Sequence, residues 1–202
     1  MARIPDSHPR KKSLESRQKI VDGSSMGLLA DSAMIAHGRG EAFDYLLGET
    51  TTESAREAIR ECAARLRNAR RPVISVNGNT VVLAGDGAIR LAAVLGCPIE
   101  VNLYYRTPSR VRGLISLLEE LRFNVSEEDA PEGFDGDWKD SVEGVSLLGD
   151  SPNFKIEGLE GPRSNCTREG IGEADTILVP LEKFGLPPNR GDFFSITTVF
   201  LE

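Results

Sequence analysis

Aromatic side chains are scarce in this 202-residue chain, 6% in all with a single tryptophan, and histidine occurs only at His8 and His37. Cysteine is also rare. Cys62, Cys97 and Cys166 are odd in number, far apart and without any Cys-x-x-Cys pair, which argues against a disulfide framework or a zinc ribbon. They read as buried or indifferent thiols. No stretch approaches the ~20 uninterrupted apolar residues of a membrane span, and Met1 to Asp6 lacks the apolar core of a secretory signal. The expectation is a cytoplasmic protein with no membrane partner. Positive charge is not in excess, since 24 Lys+Arg face 31 Asp+Glu for a net charge of −7, and this argues against broad nucleic-acid binding. No Gly-Lys-Ser/Thr or His-Glu-x-x-His occurs. A Walker loop and a zinc-protease helix therefore have no support, and no metal ligands are assigned.

What is present is an alternation of hydrophobic periods. Arg10 to Met26 reads as a basic helix with a thin apolar stripe of Leu14, Ile20 and Val21, closed by Gly27. It belongs to a basic N-terminal cluster of Arg3, Arg10, Lys11, Lys12, Arg17 and Lys19. A second helix runs from about Asp31 to a stop at Gly48, loosened in its middle or at its entry by Gly38 and Gly40. Thr51 and Thr52 announce a third over Glu53 to Asn68. From Pro72 the period changes. The strand Pro72–Val76 ends at a turn, Asn77-Gly78-Asn79, and a helix follows over Asp86 to Leu95. Strand Ile99–Leu103 leads through Tyr104–Thr107 into a helix opened by Pro108. Short strands are expected at Val145–Leu148 and Thr176–Pro180. This order predicts right-handed βαβ units and a parallel sheet. The fold class is α/β, a Rossmann-like parallel sheet with helices on both faces, preceded by N-terminal helices. One domain is expected over 1–202, with a helical segment 1–70 and a βα core 71–182. Within it, 126–144 holds eight carboxylates with almost no apolar periodicity and reads as a solvated acidic insertion.

Ligands of such sheets sit at the carboxyl ends of the strands, where Asn77, Asn79 and Arg106 fall. Two amides and a guanidinium there suit a polar, anionic substrate, although a simple tight turn accounts equally well for Asn77-Gly78-Asn79. In His37-Gly38-Arg39-Gly40-Glu41 the glycines remove bulk beside an arginine whose fork matches phosphate. Phosphate binding and a plain glycine-containing helix junction are evenly matched readings. The cluster is not a dinucleotide fingerprint, because Phe43 stands where the third glycine belongs, so an NAD-linked oxidoreductase rests on fold analogy alone. In the loop Ile156 to Arg163, the arginine is the last residue and the one cation.

The combination of Ile4-Pro5-x-Ser7-His8-Pro9-Arg10, Arg17, Ala36 to Glu49, Ser75 to Asn79, Glu100 to Thr107, Glu157 to Glu160 and Val179 to Glu182 resembles the archaeal 4-phosphopantoate–β-alanine ligase family, also called phosphopantothenate synthetase. The resemblance covers about residues 3 to 182 and excludes the acidic insertion. It implies a homodimeric enzyme of coenzyme A biosynthesis that joins 4-phosphopantoate to β-alanine, with ATP and Mg²⁺, through an acyl-adenylate. It further implies nucleotide contacts from Arg17 and Arg39 beside Gly38 and Gly40. Substrate contacts fall to Asn77, Asn79 and Arg106, and His37, Arg39 and Glu41 shape the catalytic pocket. After Glu182 the residues 183–202 depart from the family pattern, so the expected C-terminus is shortened and divergent. The competing expectation is a phosphate- or nucleotide-binding module that has lost its C-terminal ATP motifs.

Overall fold

The computed structural model describes residues 4–180 and 192–196. Three helices lead the chain: α1 (Lys11–Ser25), α2 (Ala33–Leu46) and α3 (Glu53–Asn68). Helix α3 begins as its sequence requires, with the Thr52 side chain accepting from the Ala55 N–H. Strand β1 (Pro72–Val76) then opens the sheet, followed by α4 (Gly78–Leu95), β2 (Ile99–Val101), α5 (Pro108–Ser126), α6 (Trp138–Glu143) and β3 (Leu147–Leu148). A two-stranded antiparallel ribbon, β4 (Phe154–Lys155) with β5 (Asn165–Cys166), intervenes before β6 (Thr176–Pro180) and β7 (Asp192–Ile196).

The main sheet is parallel throughout, in the order β3-β2-β1-β6-β7. The chain therefore builds outward from β1 in one direction, then returns to its other side. That reversal, between β1 and β6, is the topological switch point at which doubly wound sheets bind ligands. The expected α/β class, with preceding N-terminal helices, is what is found. Of the expected tail, 183–202, only the backbone strand β7 lies within the described residues, and this strand was not anticipated.

One sheet face carries Ile74, Val76, Ile99, Val101 and Leu178 and packs against Val81, Ile89, Leu114 and Leu118 of α4 and α5. On length and apolar composition alone α4 could cross a membrane. Here its apolar residues are the roof of this core. The opposite face carries Val73, Ile177 and Val179 and is covered by Cys166, Ile171 and Phe154, from the ribbon and a short wide helical turn at Arg168–Gly172.

Two local expectations need correction. Helix α4 starts at Gly78, not Asp86, with Asn77 as its cap and a break in helical geometry at Ala84. Val81 and Val82 followed by Gly85 and Gly87 hide the first turns from a propensity reading. The acidic stretch is also more than a solvated insertion. Trp138 and Val142 of α6 are buried in the main core, Phe134 meets Trp138 edge to face, and the Trp138 indole donates to the Val125 carbonyl at 3.2 Å. Two or three buried residues on one short helix were too few to set a period.

Candidate active site

The carboxyl edge of the sheet gathers most of the expected residues. Asn77 follows β1 directly, and its Oδ1 accepts from the Thr80 N–H at 3.0 Å and the Thr80 hydroxyl at 3.2 Å. Thr80 is itself buried, and its hydroxyl also lies 3.4 Å from the Pro180 carbonyl at the end of β6. Asn79 donates from Nδ2 to the Ala33 carbonyl at 3.0 Å and so ties the start of α2 to the first turn of α4. Thus the segment expected as a turn is a helix N-terminus at the switch point. There the backbone N–H groups and the dipole favour an anion, while both asparagine side chains also hold the fold together.

At the neighbouring strand end, Glu100 of β2 and Asn102 just beyond it place two polar side chains on one face. Glu100 is fully buried, and its carboxylate accepts from the Thr167 N–H at 2.8 Å, the Thr167 hydroxyl at 2.9 Å and the Ile171 N–H at 2.8 Å. Burial pushes its carboxyl above the usual range, and these N–H groups and the charge of Arg106 pull in the opposite direction. Gly170 is required beside it, since a Cβ there would overlap Glu100 Oε2 and the Thr167 hydroxyl. Asn102, 2% exposed, accepts from Arg163 Nε at 3.0 Å and donates to the carbonyls of Arg163 and Asn165 at 3.2 and 3.4 Å. Arg106 leaves the same strand end, and its Nη2 donates to the Gly149 carbonyl beyond β3. Arg106 falls at this edge, as expected. Asn102, which flanks Arg106 in sequence, was expected to support the pocket; Glu100, Thr80 and the pairing of Asn102 with Arg163 were not anticipated, although a lone acid in Pro98-Ile99-Glu100-Val101 was a signal.

The α1–α2 hairpin stands beside this edge, anchored by the Asn79–Ala33 bond. The Ser13 hydroxyl donates to Glu41 Oε1, and Glu41 Oε2 lies 3.5 Å from His37 Nε2, whose side chain is 8% exposed. His37 Nε2 is buried without a hydrogen-bond partner. His37 and Glu41 are thus brought together on the α1 side of α2. Arg39 and Arg17 are exposed and form no hydrogen bond or ion pair with the described residues. Gly38 and Gly40 lie inside α2, where their N–H groups belong to the helix ladder, and a Cβ at either would meet nothing within 4 Å. The glycines therefore leave bare surface on either side of Arg39. They do not form a phosphate-cradling loop.

A cavity of about 230 Å³ opens toward the opposite end of the sheet, lined by Cys97, Pro98, Ser141, Ser146 and Glu169 among others. It shares none of the side chains above. Burial pushes the Cys97 thiol up to about 12, and Cys62 and Cys166 are buried as well, as the sequence implies.

A doubly wound parallel sheet with a capped helix N-terminus at its switch point and arginines at the adjoining strand end defines a Rossmann-like α/β protein, with its switch point where ligands sit in folds of this class. The family model for phosphopantothenate/pantothenate synthetase matches residues 54–184. The chain is 44% identical over 182 residues to the 4-phosphopantoate–β-alanine ligases of Thermococcus onnurineus and Thermococcus kodakarensis, covering 90% of this chain and 62% of each relative. It is 42% identical to the enzyme of that name from Methanosarcina mazei, of which 63% is covered. The chain belongs to the phosphopantothenate/pantothenate synthetase family. It spans somewhat under two thirds of the length of these relatives.

Proposed function

We propose that the chain serves ATP-dependent condensation of 4-phosphopantoate with β-alanine in coenzyme A biosynthesis. The observation that carries this reading is the 41–44% identity to ligases of that name across about nine tenths of the chain. In the first step the pantoate carboxylate attacks the α-phosphorus of ATP, forming the acyl–phosphate bond as pyrophosphate leaves. In the second the β-alanine amine attacks the acyl carbon, AMP leaves with the bonding pair, and the amine loses a proton. Neither step needs a protein nucleophile. The work falls to positioning and to meeting negative charge. Arg17 and Arg39 face the nucleotide polyphosphate, and the α4 N-terminus and Arg106 face the phosphorylated acid. Mg²⁺ held by the polyphosphate would neutralise part of its charge.

The reading extends to a homodimer. Helix α2 exposes Ile35, Phe43 and Leu46, followed by Leu47 at its C-cap, in a stripe that also contains Arg39, and a second copy of the chain would cover it. Sedimentation of wild type against Phe43→Glu tests this directly.

The decisive experiment measures AMP release with each substrate omitted in turn. AMP formation that requires both 4-phosphopantoate and β-alanine supports the ligase, and ATP turnover indifferent to both rejects it. Binding of 4-phosphopantoate without any binding of ATP identifies instead a module that has lost its nucleotide half.

A further inference from the structure

We propose that Arg163, held by Asn102 at the carboxyl end of β2, reads the phosphate of the phosphorylated acid and is a specificity-determining residue. The proposal rests on the ligase reading and adds to it a residue outside the expected site. Three observations carry it. First, Asn102 grips Arg163 twice, through Nε at 3.0 Å and through the main-chain carbonyl at 3.2 Å. An Nε–H held by a buried amide fixes the plane of the guanidinium, and a fixed plane is what bidentate recognition of a phosphate requires. Second, the segment bearing Arg163 is pinned again a few residues later, where Thr167 and Ile171 donate to Glu100 on the same face of β2. The 3-10 turn Pro162–Ser164 is closed by the Ser164 hydroxyl on the Gly161 carbonyl at 2.7 Å. This clamp by Glu100 of β2 and Asn102 just beyond it orders a loop that sequence reasoning leaves structureless, and it places an arginine that is only 9% exposed at the strand end. Third, Arg106 issues from the same strand end and is likewise held by a carbonyl, that of Gly149. Two oriented guanidinium groups match a phosphate dianion better than a carboxylate monoanion.

The ligand pair that isolates the phosphate is 4-phosphopantoate against pantoate, titrated calorimetrically into the full chain. Wild type should bind 4-phosphopantoate at least about ten-fold more tightly than pantoate, and Arg163→Ala should erase most of that ratio while leaving pantoate affinity within about two-fold. Asn102→Asp, which sets a negative charge against Nε, should lower 4-phosphopantoate affinity in the same selective way. Arg163→Lys retains charge and stem and should recover part of the ratio. It carries the same comparison if the alanine variant melts early by circular dichroism. An undiminished ratio in folded variants, or an equal loss for both ligands, overturns the inference alone and leaves Arg163 as a brace of its loop. Wild type that binds neither ligand overturns the ligase reading, and the inference falls with it.

Discussion

The Glu100 carboxylate and Thr167, 67 positions apart, are joined twice, backbone N–H to Oε1 at 2.8 Å and hydroxyl to Oε2 at 2.9 Å. The joint is made by an acid that burial disfavours in its charged form. Its carboxyl is raised above the ordinary 4.5, so the folded state holds this proton more tightly than the unfolded state. The stability it contributes is fully present below the unfolded value and falls as pH rises through the folded value. Glu100→Gln removes that dependence. Urea unfolding of the two proteins at about pH 5 and about pH 8 should show wild type gaining on the variant at the lower pH. A gap that does not move with pH would contradict this assignment.

Trp138 gives the acidic stretch its anchor. Trp138→Ala should destabilise the protein by about 3–5 kcal/mol in urea unfolding. Asp135→Asn, an exposed change three residues earlier, should stay within about 0.5 kcal/mol. Equal effects would return the whole stretch to the surface.

Gly38→Ala separates the two explanations of the glycines around Arg39. A Cβ there meets nothing and the position is helical, so the substitution should raise stability by about 0.5–1 kcal/mol. A variant that is more stable yet binds ATP more weakly would show that the bare surface serves the ligand. Unaltered ATP affinity would make the glycine dispensable.

Arg39→Ala is expected to weaken ATP binding by about ten-fold or more, since loss of a charged hydrogen bond costs about 1.5–3 kcal/mol. The melting temperature, read at a concentration where the chain is monomeric, should not change, because within one chain Arg39 is exposed and holds no described residue. Direct titration with ATP beside a thermal melt reads both quantities. A lowered melting temperature with intact affinity would assign Arg39 to the fold.

The strands and α3 were legible because their signals are local. Val73-Ile74-Ser75-Val76 is a buried apolar run, and Thr52 is a cap that works within four residues. The first turns of α4 were not legible, because two β-branched residues and two glycines speak against a helix and only packing on the sheet decides the matter. The place of Asn77, Asn79 and Arg106 at the strand ends was legible from the alternation of strand and helix. Glu100 and Arg163 were passed over, since the bonds that orient them span 61 to 71 positions, and no spacing rule reaches that far. The glycines around Arg39 misled in another way, because composition describes what a backbone is free to do and not that a helix will use its amides first.

The strand order also carries a timetable. Strand β1 finds β2, and β2 finds β3, among the residues that follow, yet the other neighbour of β1, β6, is a hundred positions on, as the Thr80–Pro180 contact measures. While the chain emerges from the ribosome, the β1–α4–β2–α5–β3 half can assemble with Val73 and Ile74 at an open edge. Until Ile177 and Leu178 arrive, that edge is an unpaired apolar strand, the kind other chains readily join. The stage at which this protein is most exposed to aggregation during synthesis is therefore written into the order of its sheet.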